Sequence, residues 1–275
     1  MSDQGTSLCD ANSLLGQLLR ANNRVWSSLY YDELVETNDY QLTFMAGADA
    51  GFYSCAQVVS RDDDDLLSLV AHHYRRRGVA PAFYVDPGSP PGLVTRLERA
   101  GYLPEDEERE NCHLLDLRVP PVASPSEVLR LAPSRLQCIR LEGPTDPWLE
   151  AFLAVDSTAN HLSAVVQSKL SAHLRRDPRP GVERHCFLGL VDGIPVSTRL
   201  VSFEGDFALL AEGGTLPAFR RHGVYASLLL EALSFAQSSG KRYAFFTAAV
   251  PAFSNPAARK LGFTLAATRT YYRLR

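Results

Sequence analysis

A chain of 275 residues can hold one large domain or two modest ones, a domain running to about 100–200 residues. Its 28 Lys and Arg against 31 Asp and Glu leave a formal charge of −3, which argues against a protein built to wrap a nucleic-acid backbone. Hydrophobic residues at 45% and charged residues at 21% exclude disorder and fibrous repeats.

Taken in chain order, residues 12–31 have helical spacing. Residues 40–60 read as two strands around the turn-like Gly47–Gly51 region, and 65–77 as a helix. A strand at 81–86, a helix at 92–99 and a strand at 112–119 follow. Between Arg118 and Arg135 four prolines fall in 18 residues, and proline removes a ladder donor. A linker at 121–134 therefore divides an N-terminal half, 1–120, from a C-terminal half, 135–275.

The second half begins with a strand at 136–141, helices at 147–157 and 165–176, and a strand at 185–191. Asp192-Gly193 is a hairpin signal into 194–203. A further turn at Glu204-Gly205-Asp206 leads to the apolar 207–211, so three consecutive antiparallel strands are expected. A long helix, 223–238, stops at Gly240. Residues 243–250 are β-rich, 257–261 form a short helix closed by Gly262, and 263–274 carry one or two last strands. The pattern helix, Gly78, strand, helix, Gly101 in the first half is echoed by helix, Gly240, strand, helix, Gly262 in the second, as in a duplicated module.

The longest charge-free run, Tyr243–Ala258, has 16 residues and two prolines, short of the ~20 apolar residues of a membrane span. The first ten residues lack Lys, Arg and an apolar stretch, so no secretion signal is expected and the chain is expected in the cytoplasm. Five cysteines without a C-x-x-C pair suggest mostly buried thiols and no metal site.

The most informative stretch runs from Ala211 to Leu230: an apolar strand ends in small residues, and Arg220-Arg221-His222-Gly223 opens a long helix. Free amides and the positive dipole end at a helix start suit a pyrophosphate. Gly223 admits close backbone approach. Beside this loop stands Glu212, a carboxylate directly after an apolar strand. Burying it unpaired would be costly, so it is either paired with Arg199 on the neighbouring strand or a general base with a raised pKa. The other paired aromatics, Tyr30-Tyr31 and Tyr271-Tyr272, read as core.

The segment Leu216 to Tyr225 resembles the acyl-CoA loop of the GCN5-related N-acetyltransferase (GNAT) superfamily, with Tyr225 where the family has a small residue. Ser254 to Phe263 resembles the family's second signature, a short helix ending in Gly-Phe. The family's usual acid for the departing CoA thiolate is a Tyr five residues before that Phe, and here the position is Ala258. The resemblance implies an α+β GNAT fold, a mixed and mostly antiparallel sheet flanked by helices, with a tandem arrangement whose N-terminal copy lacks a cofactor loop. It also implies transfer of an acetyl group from acetyl-CoA to the amine of a small molecule or peptide, without a metal, nucleic acid or membrane. Glu212 would be the catalytic base. The cofactor contacts would be Gly213, Thr215, Leu216, Arg220, Arg221, His222, Gly223, Val224, Tyr225, Ala226, Ser254 and Asn255, with Gly213–Leu216 pairing with the pantetheine arm. Tyr272 is a secondary candidate for the acid. Ala258 and Tyr225 keep open a non-catalytic acyl-CoA-binding or interaction protein.

Overall fold

The computed structural model describes residues 13–47, 53–60, 63, 65–119, 135–250, 252 and 254–274. The expected linker, 121–134, and most of the turn at 47–51 lie outside the described residues. The N-terminal half contains α1 (Leu14–Ser27), β1 (Glu33–Glu36), β2 (Tyr40–Phe44), β3 (Ala56–Val58), α2 (Asp65–Arg75), β4 (Ala82–Val85), α3 (Leu93–Arg99) and β5 (Tyr102–Asp116). The C-terminal half contains β6 (Leu136–Arg140), α4 (Leu149–Asn160), α5 (Ala164–Leu174), β7 (Val182–Val191), β8 (Ile194–Glu204) and β9 (Phe207–Thr215). After a 3-10 turn at Pro217–Phe219 come α6 (Val224–Ser238), β10 (Tyr243–Ala249), α7 (Ser254–Lys260) and β11 (Thr264–Leu274).

The described strands form one sheet in the order β1-β2-β3-β4-β11-β5-β10-β9-β8-β7-β6. Its pairs are antiparallel except β3–β4 and β9–β10. Each parallel pair is joined through a helix, α2 or α6, because parallel neighbours need a crossover. The unit β3-α2-β4-α3-β5 thus recurs as β9-α6-β10-α7-β11. The glycines of the sequence echo carry it: Gly78, Gly101, Gly240 and Gly262 all have positive φ just after the helices, the conformation that closes a helix with an αL residue.

The two copies exchange their last strands. β5 pairs with β10, β11 pairs with β4, and β5 and β11 pair with each other between them. At this junction Arg269 of β11 and Glu110 of β5, both about 95% buried, form an ion pair at 2.6 Å. The Arg269 guanidinium also lies 4.0 Å from the Tyr84 ring on β4. β5 is far longer than the strand expected at 112–119. Its start, Tyr102 to Glu110, is acidic and contains Pro104, so it reads locally as a solvated loop; pairing with β11 overrides that weak local preference. β1 was not anticipated, being four residues long with Glu at both ends.

Two packed layers position the site. Leu18 and Val25 of α1, Phe152 of α4 and Leu170 of α5 pack on Leu188, Leu200 and Leu209 from one side of the sheet. From the other side Leu228 and Ala232 of α6 and Ala258 of α7 pack on Val201, Phe203 and Leu210. A separate core, with Leu42, Val70, Phe83 and Leu97, lies under α2 and α3. Three of the cysteines, Cys55, Cys112 and Cys186, are buried thiols, whereas Cys138 on the edge strand β6 is exposed. Because removing one partner of a buried ion pair strands the other charge, Glu110→Ala should cost about 3–5 kcal/mol in urea unfolding. A loss below about 1 kcal/mol would show that the exchanged strands do not depend on the pair.

Candidate active site

β9 and β10 pair only from Phe207–Leu209 to Tyr243–Phe245 and then diverge. Beyond that point β9 continues against β8 on one edge while its other edge has no strand partner among the described residues. The resulting opening lies under the start of α6 and beside α7.

A β-bulge decides what faces each side of this opening. Arg199 of β8 stands opposite Gly213, and Val201 opposite Leu210, so Leu200 alone opposes Ala211 and Glu212. One extra residue reverses the alternation of side chains beyond it. Before the bulge, Leu209 faces the α1/α4 layer and Leu210 the α6/α7 layer. Strict alternation would send Glu212 after Leu210, toward Arg199. The bulge keeps it on the α1/α4 side and turns Gly213 toward Arg199 instead. A Cβ on Gly213 would sit 2.6 Å from the Arg199 guanidinium carbon, and one on Gly214 2.6 Å from Ala159 of α4. Both glycines are therefore required by close approach.

On the α1/α4 side Glu212 joins a network supplied by both halves of the chain. The Tyr30 hydroxyl, just beyond α1, donates to Glu212 Oε1 at 2.6 Å. Asn160 Nδ2 donates to Glu212 Oε2 at 3.4 Å and to Asp156 Oδ1 at 3.1 Å. Thr198 Oγ1 donates to the same Asp156 oxygen at 2.7 Å. Asp156 is fully buried and its Oδ2 has no hydrogen-bond partner. Burial, and then the neighbouring Asp156 carboxylate, push Glu212 up to about 8, against the Tyr30 hydrogen bond and the Arg199 charge. Burial likewise raises Asp156 to about 6, opposed by Thr198, Asn160 and Arg199. Two carboxyls enclosed together cannot both ionise cheaply, so the proton affinity of the pair is raised. Glu212 is nevertheless only half-buried, so it can exchange a proton with what enters the site. Tyr53 flanks it, its ring 5.9 Å from that of Tyr30.

On the opposite side the loop into α6 has Arg221 at φ 66° and Gly223 at φ 75°. Gly223 is the N-cap of α6 and makes no side-chain cap bond, so the first amides of a 15-residue helix point outward. A non-glycine αL residue is costly and tends to cluster at ligand sites.

The residues singled out in the sequence separate into groups. Arg221 and His222 are exposed at the loop, and Ala226 follows on the first turn. Arg220, also exposed, folds back on the protein, donating to Thr215 O at 2.9 Å and Ala159 O at 3.1 Å, and so fastens β9 to α4. The Thr215 hydroxyl is engaged with Ser197 at 2.8 Å, the Leu216 amide donates to Val196 O, and both backbone groups of Gly214 are taken, its amide donating to Thr198 Oγ1 at 3.2 Å and its carbonyl accepting from Ser197 Oγ at 2.9 Å. Val224 is buried. Asn255 is buried and its side chain is consumed internally, donating to the carbonyls of Ala249, Val250 and Ala252 and meeting His113 at 2.6 Å. Ser254 borders the opening. Tyr225 turns its ring under Arg199, 4.6 Å from the guanidinium, rather than across the loop. Tyr272 lies in the core under α2 and α3, away from this opening. Arg199 forms no ion pair with Glu212, which the bulge places on the other side of β9.

Tyr30, Asp156, Asn160 and Thr198 were not singled out from the sequence. Asp156 had a signal: it sits on the apolar stripe of α4 with Phe152, Leu153 and Ala159, where a carboxylate is out of place. Tyr30 had none, since an aromatic at a helix end reads as core.

Taken together, the splayed mixed sheet, the flanking helices and the loop into α6 define the GNAT fold. The chain is similar to a GCN5-related N-acetyltransferase from Kribbella flavida, with a TM-score of 0.67 and 17% identity over 96% of each chain. It is similar to a tandem GNAT protein from the clavulanic acid biosynthesis pathway at a TM-score of 0.64 and 17% identity, covering 91% of this chain and 86% of that one. A third likeness is to a GCN5-related N-acetyltransferase from Sphaerobacter thermophilus, at a TM-score of 0.60 and 15% identity, covering 97% and 89%. No family model and no curated protein sequence matches the chain. Among the described residues there is no group of metal-ligating side chains and no helix long and apolar enough to cross a membrane.

A carboxyl whose folded-state pKa lies above its unfolded value stabilises the fold below the unfolded pKa, and that contribution is lost as pH rises through the folded one. For Glu212 the window runs from about 4.5 to about 8. Glu212→Gln removes this loss, so the melting temperature of the variant relative to the parent should climb across that window. A difference independent of pH would contradict the enclosed, protonated carboxyl.

Proposed function

We propose that the chain is an acyl-CoA-dependent N-acyltransferase that moves an acetyl group from acetyl-CoA to the amine of a small molecule or peptide. The observation that carries this reading is the separation made by the β9 bulge: a proton-accepting carboxyl faces one side of the strand, and a splayed edge with an amide-lined loop faces the other. Acetyl-CoA supplies the activated thioester. The α6 amides from Gly223 to Ala226, with Arg221 and His222, offer hydrogen bonds and charge to its pyrophosphate. Gly213 and the Thr215 amide, on the edge of β9 that has no strand partner among the described residues, offer backbone pairing to its pantetheine arm, in the manner of an added strand.

Glu212 takes the proton that the attacking amine must lose. It does so in the ionised fraction, which grows as pH rises toward about 8, and Tyr30 and Asn160 hold its oxygens in place. The acceptor side is bordered by Tyr30 and Tyr53 from the N-terminal half, so that half shapes the amine site. It is not a second cofactor site: α2, the counterpart of α6, has Asp65 in its first turn, and an acidic side chain there repels phosphate.

A second reading, a non-catalytic acyl-CoA-binding or interaction protein, draws support from Ala258 and from the narrowness of the opening. Turnover with acetyl-CoA across an amine panel separates the two, scored by thiol release. In the enzyme, Glu212→Gln should lower turnover by about 10²–10⁴-fold with CoA affinity retained; unchanged turnover would remove Glu212 from the chemistry. Gly223→Asn keeps a residue tolerant of positive φ while placing a side chain in the phosphate space. It should weaken CoA at least about tenfold, equivalent to about 1.4 kcal/mol, and full affinity would move the phosphates elsewhere.

A further inference from the structure

Arg199 is the one charged side chain among the described residues that line the opening between β9 and β10. It is 4% exposed, and its Nε and Nη2 have no hydrogen-bond partner. Around it stand Leu210, Tyr225, Leu229, Phe246 and Ala258, and the free space between them is about 10 Å³, room for one water. Such a cation is expensive to bury without an acceptor. Three features hold it there: the Tyr225 ring against one face of the guanidinium, the missing side chain at Gly213, and the small Ala258 at the wall. The charged groups that act on it, Glu212 and Asp156, lie across the strand on the α1/α4 side; from α7, Ser254 shares the lining.

Resting on the acyltransferase reading above, we propose that Arg199 is a further catalytic residue: its unpartnered N–H groups receive the negative charge that develops on the departing CoA sulfur. The balance is as follows. The amine nitrogen bonds to the thioester carbonyl carbon, the C–S bond breaks, and its electron pair stays on sulfur. The proton lost by the amine goes to Glu212, and the thiolate is held by the guanidinium until it leaves or is protonated by solvent. Arginine cannot itself supply that proton, because it does not deprotonate in proteins. Its contribution is a fixed positive charge aimed where the negative charge appears, in a site that excludes water. The bulge thereby sorts the two charge changes of one reaction to opposite sides of β9.

The test titrates the thiol of bound CoA by the ultraviolet absorbance of its thiolate, with desulfo-CoA as the blank. A cysteine thiol has a pKa of about 8.5 and beside a fixed cation falls to about 7.5 or below, so the CoA thiol should fall by at least about one unit from its own free value. The full chain should show that fall, Arg199→Met should lose it, and Arg199→Lys should keep part of it. CoA bound with its thiol at the free value overturns the Arg199 assignment while leaving the acyltransferase reading intact. CoA that fails to bind the parent chain at millimolar concentration overturns both. Should Arg199→Met fail to fold, the parent titration alone decides, since it compares bound with free CoA.

Discussion

One extra residue in β9 sets up everything else at the site. Without the bulge opposite Leu200, Glu212 would follow Leu210 into the apolar layer under α6, beside Arg199, and the two would neutralise each other as an ordinary internal pair. With it, the carboxyl faces Tyr30, Asn160 and Asp156 on one side, and the guanidinium faces Tyr225 and the splayed edge on the other. The glycines that follow are consequences of the same shift, since Gly213 must clear Arg199 and Gly214 must clear Ala159. A sheet with strands on both edges would have no room for such an opening; it exists because β9 and β10 part after three residue pairs.

The second constraint is the exchange of β5 and β11. It makes one sheet of two copied units, so the halves cannot be regarded as independent bodies: the last strand of each completes the other. The same intimacy brings α1, an N-terminal helix, over β8 and β9, and puts the Tyr30 hydroxyl on Glu212. Only one copy keeps a basic, glycine-containing entry into its crossover helix. The other copy begins that helix with Asp65.

Much of this was legible in the sequence, for identifiable reasons. The crossover helix α6 and its Arg-Arg-His-Gly entry announce themselves through composition, and the positive-φ glycines of the two copies leave a visible spacing. Glu212 stood out because a carboxylate following five apolar or small residues is costly to bury. What stayed hidden depended on tertiary pairing. The acidic start of β5 becomes a strand only against β11, and no local signal could place β11 between two strands of the other half. The bulge is equally silent in the sequence, which offers Arg199 as the alternative, ion-paired partner of Glu212, whereas the actual partners are Tyr30, just beyond α1, and Asn160 of α4. Arg220 and Asn255 looked like ligand groups by motif; the geometry gives their polar atoms to Thr215, Ala159 and the loop before α7.

The division of labour across β9 is the claim on which the account stands, and backbone amide chemical shifts of the full chain, recorded as CoA is added, test it most directly. Shifts should concentrate at Gly213–Thr215, at Gly223–Ala226 and around Ala258, one site per chain, with the amides of Tyr30 and Asn160 nearly still. Perturbations centred instead on the start of α2, or spread over the α1/α4 side, would contradict it.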